Sequence, residues 1–329
     1  MALVNPSSTM TEIVTTTLRN RTGKLQDNVT KNNALLNRLK KKGKIKKVPG
    51  GRTIVQEIEY AQNGTFKRYS GYEALNISPS DVFTAAEYNY AQAAVAVSIS
   101  GLEMLQNNGP EQIIDLLESR ISNAEKTMTN NIALDMYSDG TADGGRQIGG
   151  VQLLVSTSPT SGVVGGIDRS TTVGSFFRNA AFSGVTNGGA PTTSANIQSY
   201  MNRLYLQLVR GADAVDLIVA DNNYYRLYLE SLQAIQRVQS EEMAQAGFQS
   251  LKYMGADVVL DGGYGGGAPV NSMYMLNTEY VYFRPHVDRF FAPIGDDRFA
   301  VNQDAMVKLL GFAGNLTLSN AFLQGVLSA

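Results

Sequence analysis

The sequence is poor in the side chains from which most enzyme sites and extracellular frameworks are built. Among 329 residues there is no cysteine, no tryptophan and one histidine, His286. The missing cysteines exclude a disulfide framework, a thiolate zinc site, an iron–sulfur cluster and a cysteine nucleophile. A single histidine excludes any multi-histidine metal site, the two-histidine zinc-protease motif included. No apolar run approaches the roughly 18 residues of a membrane span, and the opening MALVNPSSTMTEIV lacks the basic-then-apolar order of a signal peptide. The expectation is a soluble intracellular chain with no membrane association. Its apolar content of 43% suffices for a sizeable core, while its charged content is only 17%.

The net charge of −1 conceals an asymmetry. Through Arg52 there are twelve basic residues against two acids, Glu12 and Asp27, so the remainder of the chain is strongly acidic. The densest basic run is Arg38, Lys40, Lys41, Lys42, Lys44, Lys46 and Lys47. Three readings are open: phosphate binding through counterion release, docking on the acidic body of a neighbouring copy, or a solvated tail. No aromatic residue is interleaved before Tyr60, which disfavours stacking on single-stranded nucleic acid.

Along the chain, residues 1–48 are polar, with a short amphipathic helix predicted around Val29 to Lys41, and too few apolar residues to fold alone. Pro49-Gly50-Gly51 marks a turn. Thr53 to Tyr60 and Phe66 to Tyr72 then read as strands of a long polar hairpin, followed by an alternating run from Phe83 to Ser100. Such a hairpin cannot build its own core. From Pro110, Ile114, Leu117, Ile121, Ala124, Met128 and Ile132 recur at spacings of three and four, predicting roughly 42 Å of helix at 1.5 Å per residue. Further on, a helix through Ile197 and Leu208, a buried strand at Ala214–Ala220, a helix capped by Asp221, and strand-like runs near 257–260, 273–276, 280–283 and 307–312 indicate an α+β or mixed α/β body. Leu316 to Leu327 reads as one last extended stretch.

Candidate chemistry is thin. The glycine run Gly262 to Gly267 is followed by Ala268-Pro269 rather than Lys-Ser/Thr, so it fails as a phosphate loop and reads as a flexible loop. His286 near Asp288 could orient a base toward Ser272 or Ser319, but no Gly-x-Ser-x-Gly elbow presents a nucleophile, and a hydrogen-bonded structural histidine is the simpler reading. Asp296-Asp297 with Asp304, and Glu241-Glu242, lack calcium-loop spacing. Tyr224, Tyr225 and Tyr228 read as core or interface. No catalytic residue, cofactor-binding residue or metal ligand is assigned, and no cofactor is expected.

The run Pro49-Gly-Gly-Arg-Thr-Ile-Val-Gln-Glu-Ile-Glu-Tyr60, then Tyr69-Ser-Gly-Tyr-Glu73, resembles the extended loop of the major capsid proteins of tailed bacteriophages, in the branch that includes Mu-like phages. Gly162-Val-Val-Gly-Gly-Ile-Asp-Arg169 with Phe176-Phe-Arg-Asn179 resembles a segment frequent there. The order of a basic arm, a long two-stranded excursion, a long helix and a mixed body is similar to the fold first described for phage Hong Kong ninety-seven. The resemblance implies an α+β capsid fold with an N-terminal arm at 1–48 and an extended loop at 49–86. It implies a peripheral domain at 87–189 and 271–318, with a spine helix at 110–138, and an axial domain at 190–270 and 319–329.

The resemblance further implies a non-enzymatic virion protein whose hexamers and pentamers close into an icosahedral head around double-stranded DNA, assembled in a bacterial cytoplasm. Its partners would be further copies of itself, scaffolding, portal and decoration proteins, and DNA held without sequence preference. The loop residues expected to make contacts are Glu57, Glu59, Lys67, Arg68, Tyr69 and Tyr72. The arm residues named above are expected to face DNA or a neighbouring subunit. Lys67 has no matching acceptor context for a lysine–asparagine crosslink. No fused scaffolding segment is expected, while a separate scaffold or processing before residue 1 stays open. An encapsulin-type compartment, a tail-tube protein and a serine or carboxylate hydrolase are the competing readings.

Overall fold

The computed structural model describes residues 33–106, 110–232, 250–262, 267–299 and 304–329. The expectations for residues 1–32, Glu241-Glu242 and the middle of the glycine run lie outside the described residues, as do the side chains of Asp296 and Asp297. In chain order the elements are α1 (Ala34–Lys41), β1 (Ile54–Glu59), β2 (Phe83–Tyr88), β3 (Ala91–Ser100), α2 (Gly101–Gln106), α3 (Pro110–Asp135), α4 (Val151–Leu154), β4 (Val163–Val164), β5 (Ile167–Asp168), β6 (Ala180–Ser183), α5 (Ile197–Leu208), β7 (Leu217–Ala220), α6 (Asn222–Ser231), β8 (Ser250–Tyr253), β9 (Ala256–Leu260), β10 (Ser272–Leu276), β11 (Val281–Phe299), β12 (Ala305–Leu318) and β13 (Gly325–Ser328).

Two larger sheets organise the body. One has six strands in the order β6-β13-β10-β7-β9-β8, mixed in direction: β13 runs parallel to β6, β7 runs parallel to β9, and the remaining pairings are antiparallel. Both faces of this sheet are covered, which is why β7 reads as an unbroken apolar run rather than an alternating one. Leu217 and Val219 enter one core while Ile218 and Ala220 enter the other, beneath α5 and α6. The expected tyrosine cluster lies in that second core: Tyr224 and Tyr228 are buried, with hydroxyls donating to Thr192 Oγ1 at 3.1 Å and to Lys252 O at 3.1 Å. Burial raises the Tyr228 phenol to about 12. Asp221 caps α6 by accepting from Tyr224 N–H at 2.9 Å.

The second sheet has three antiparallel strands, β11-β12-β3, with α3 packed on β3. Ser100 and Glu103 form a reciprocal capping box where β3 turns into α2: Ser100 N–H donates to the Glu103 carboxylate at 3.0 Å, and Glu103 N–H donates to Ser100 Oγ at 3.3 Å. β11 is far longer than the expected run at 280–283. Register shifts between Pro285 and Phe290, between Phe290 and Ala292, and between Ile294 and Arg298 break its alternation, and Phe291 adopts φ 54°. The expected single stretch at 316–327 is divided, because residues 319–324 turn between β12 and β13. β6 and β10, placed by the sequence reading in the peripheral segment, are both strands of the six-stranded sheet.

The arm residues from 33 to 48 pack on their own chain. Leu35, Leu36 and Leu39 are fully buried, and α1 lies against both β7 and β11, so it spans the seam between the two large sheets. Asn33 caps it by accepting from Leu36 N–H at 3.0 Å and donates to Ala133 O at 3.1 Å, tying its start to α3. Residues 44–48 then run parallel to the edge of β11, with Lys46 N–H donating to Phe283 O and Val48 N–H to Pro285 O, both at 2.9 Å. The composition of residues 1–48 predicts a segment that cannot fold alone and orders only against something else. Three leucines and a spare sheet edge give residues 33–48 that support within one molecule. Leu36→Ala in the unassembled protein is expected to lower stability by about 2–5 kcal/mol, read from the shift of the urea unfolding midpoint.

Candidate assembly surfaces

β1 and β2 form an antiparallel hairpin root in register from Ile54 opposite Tyr88 to Glu59 opposite Phe83. Ile54, Gln56 and Ile58 point into the body and Val55, Glu57 and Glu59 out, the two-residue period of a half-buried strand. The last main-chain bond between the two legs of the hairpin runs from Tyr60 N–H to Val82 O at 3.0 Å. Residues 60–82 contain no helix or strand. The strand expected at Phe66–Tyr72 is therefore absent: β1 pairs with β2, and no partner strand is left for this run. Along it stand Phe66 at 78% exposure, Tyr72 at 110% and Ile77 at 93%, with Tyr69 and Leu75 also exposed. Apolar residues scattered singly on a surface need no account, whereas five exposed within twelve positions of one segment call for one.

The expected loop residues occupy two places. Glu57 and Glu59, on the outer face of β1, line a cleft of about 510 Å³ together with Tyr60, Arg210, Tyr280 and Asn320. Lys67, Arg68, Tyr69 and Tyr72 lie in the projecting segment, where Lys67 pairs with Glu73 at 2.8 Å and Arg68 sits over the Phe66 ring at 5.5 Å.

The hairpin root is fastened by the glycine-rich segment that the sequence singled out. β4 and β5 pair with each other, and Glu87 N–H of β2 donates to Gly165 O at 2.9 Å. A Cβ on Gly165 would lie 2.7 Å from Ala86 Cβ, and its φ is +58°, so both space and conformation require glycine there. Arg169 is fully buried, donating to Leu154 O and to Asn179 Oδ1, with its guanidinium 5.6 Å from the Phe177 ring. Desolvation lowers its pKa to about 10. Arg178 donates to the carbonyls of Arg169, Ser170 and Thr171. The Arg-Asn motif is thus an internal latch beneath the loop. Sequence reading placed it in a family segment without finding this role, because a buried arginine without a carboxylate partner leaves no charge pattern to read.

The basic run divides. Arg38 Nε donates to Asp216 Oδ2 at 3.0 Å and Arg38 Nη1 lies 3.4 Å from Asp257; Lys42 reaches Asp216 at 3.0 Å and Glu279 at 2.9 Å; Lys44 reaches Glu279 at 2.6 Å. The acids these three meet belong to their own chain. Lys40, Lys41, Lys46 and Lys47 are exposed, with Lys46 over the Tyr282 ring at 5.1 Å and Lys47 over Phe290 at 5.6 Å.

Among the described residues the chemical candidates do not converge on a site. His286 Nδ1 accepts from Asp288 N–H at 3.1 Å, and its ring meets Tyr90 edge-on at 6.0 Å. The hydroxyls of Ser272 and Ser319 donate to Val270 O and Tyr280 O. Asp304 O accepts from Gly101 N–H where β3 ends. Among the described residues no group of three or more histidine, aspartate or glutamate side chains could hold a metal, and no helix is long and apolar enough to cross a membrane.

No family model matches the chain, and no curated protein matches it in sequence. Solved structures do. The capsid of cyanophage A-1(L) superposes with a TM-score of 0.62 over 87% of this chain and 90% of that one, at 15% identity. The Mycobacterium phage Bobi structure gives 0.52 over 87% and 88%, at 11% identity. The holo-SrpI encapsulin complex from Synechococcus elongatus gives 0.54 over 86% and 83%, at 8% identity. The chain therefore has the α+β fold of tailed-phage capsid proteins, which the encapsulin shares.

The Arg38–Lys42–Lys44 clamp makes docking of α1 sensitive to acid. For Asp216, burial opposes ionisation, but two bonds from Thr278 together with Lys42 and Arg38 outweigh it and hold the carboxyl below its ordinary 3.8. Lys44 and then Lys42 hold Glu279 below its ordinary 4.5. Depressed carboxyl values contribute stability above the ordinary values and lose it as pH falls through the folded-state ones. Asp216→Asn is expected to destabilise by about 1–3 kcal/mol at neutral pH. That difference from the parent should shrink toward about pH 3, measured by denaturant unfolding at both pH values.

Proposed function

We propose that this chain is the major capsid protein of a tailed phage, self-assembling into the hexamers and pentamers of an icosahedral head that encloses double-stranded DNA. One observation carries the reading: on a fold shared with phage capsids, the segment at 60–82 forms no ladder and leaves Phe66, Tyr69, Tyr72, Leu75 and Ile77 exposed within twelve positions. A single copy leaves that apolar surface in water, and a lattice of copies removes it. Many modest contacts per copy then add up through closed symmetry. The chain acts as a structural protein without catalysis, located in the virion.

In this reading the segments at 1–48, 49–86, 87–189 with 271–318, and 190–270 with 319–329 serve as arm, extended loop, peripheral and axial domains. Lys67, Arg68, Tyr69 and Tyr72 meet a neighbouring subunit, while Glu57 and Glu59 line the cleft that receives one. The exposed Lys40, Lys41, Lys46 and Lys47 meet phosphates of packaged DNA without sequence preference. Scaffolding, portal and decoration proteins complete the partners. The second reading is an encapsulin-type compartment with non-viral cargo, favoured by the encapsulin match; the higher TM-score on the cyanophage capsid, 0.62 against 0.54, weighs toward the phage head.

Electron microscopy of the purified, expressed protein tests the proposal, with closed shells expected. The double variant Tyr72→Glu, Ile77→Glu alters exposed side chains and should shift folding stability by no more than about 0.5 kcal/mol, yet it should yield unassembled protein. Shells of normal size and yield from that variant would overturn the role given to the loop. Small monodisperse particles from the parent would overturn the capsid reading itself.

A further inference from the structure

Asparagine is followed by glycine three times, at Asn63-Gly64, Asn108-Gly109 and Asn187-Gly188. In this dipeptide a backbone nitrogen can approach the preceding side-chain carbonyl carbon with the least obstruction, because glycine carries no Cβ. Asn108 lies outside the described residues. The other two are held in opposite ways.

At Asn187 the reacting groups are occupied. Gly188 N–H, the nucleophile, donates to Ser183 O at 3.1 Å, and Asn187 N–H donates to the same oxygen at 2.9 Å. A Cβ on Gly188 would lie 2.4 Å from the Tyr200 ring, so there is little room for the chain to rearrange. The side-chain oxygen accepts a bond from Ser183 N–H at 2.9 Å.

At Asn63 the surroundings are open and the carbonyl is polarised. Its Oδ1 accepts from Thr65 N–H at 2.9 Å, from Thr65 Oγ1 at 2.7 Å and from Ser80 Oγ at 3.1 Å. Asn63 and Gly64 are both exposed, and the nearest atom to a Cβ built on Gly64 is Ser80 Oγ at 3.9 Å. Donors converging on a carbonyl oxygen stabilise the negative charge that develops when its carbon is attacked.

We infer that Asn63 is a site of spontaneous deamidation through a succinimide, selected over Asn187 by the three donors on its side-chain oxygen. Hydroxide removes the Gly64 amide proton, and that nitrogen attacks Asn63 Cγ, placing negative charge on Oδ1. The carboxamide C–N bond then breaks, and its nitrogen leaves as ammonia with a proton from water. Water opens the resulting five-membered ring at either carbonyl, giving aspartate or isoaspartate. The product carries a new carboxylate, and in the isoaspartyl form an extra methylene in the main chain. Ser80 lies on the returning leg of the loop, so the oxygen that reacts is also the one that ties the two legs together at the neck. An aspartate keeps an acceptor oxygen for that tie, whereas the isoaspartyl form displaces it and changes the presentation of Phe66 through Ile77, giving the loop a chemical age.

The test uses the full chain, unassembled, incubated in mildly alkaline buffer made with heavy-oxygen water and followed by peptide mass spectrometry that separates aspartate from isoaspartate. The same protein in urea serves as the unfolded reference. Folded Asn63 should convert at least as fast as in urea, and roughly tenfold faster than folded Asn187. Removing the side-chain donors with Thr65→Val and Ser80→Ala should slow Asn63 and leave Asn187 unchanged. Slower conversion of Asn63 folded than unfolded, or faster conversion in the double variant, would show that the hydrogen bonds restrain the side chain instead, and would overturn the inference. The readout is independent of shell formation.

Discussion

Apolar side chains must leave water somewhere, and in this chain the body can satisfy that demand while the loop cannot. The six-stranded sheet hides both of its faces, and β7 at its centre is apolar at every position. The segment between β1 and β2 has the opposite character: it departs from the body after Tyr60, forms no ladder, and holds its aromatic and aliphatic residues outward. The contrast is one of geometry rather than of composition. A two-legged excursion has no second layer to fold against, so its burial requires a surface belonging to something else. That requirement links a fold to an assembly.

The charge asymmetry finds part of its use inside one molecule. The basic run had three readings, of which two involved another macromolecule. Arg38, Lys42 and Lys44 instead close on Asp216, Asp257 and Glu279 of the same chain, and the three leucines of α1 fill the seam between the large sheets. The pairs are partly exposed, so the leucines dominate the energetics and the charges set orientation. Lys40, Lys41, Lys46 and Lys47 remain at the surface, so the outward-facing charge is smaller than the sequence count suggests.

Much of the fold was legible because periodicity reports directly on which face of an element is covered. The helix from Pro110, the apolar run of β7 and the cap at Asp221 all appear in the structure near their expected limits. Periodicity does not report on partners, and the differences follow from that. Phe66–Tyr72 has strand-forming residues but no strand beside it. β11 has a strand beside it along most of its length, yet its prolines, bulges and the left-handed Phe291 erase the alternation. The docking of α1 on its own body, and the burial of Arg169 against carbonyl groups, are long-range events with no local signature. The loop surface was legible as a candidate through its resemblance to the extended loop of capsid proteins. The exposure of Phe66, Leu75 and Ile77 emerged only from the structure.

The latch beneath the loop has a consequence for how this architecture tolerates change. Arg169 grips Leu154 through its main-chain oxygen, and Arg178 grips residues 169–171 in the same manner. A carbonyl of the polypeptide is present whatever side chain the position bears, so replacements at 154, 170 or 171 leave these acceptors where they are. Fastenings of this kind are blind to residue identity. A scaffold secured by them can change many of its residues while keeping its shape.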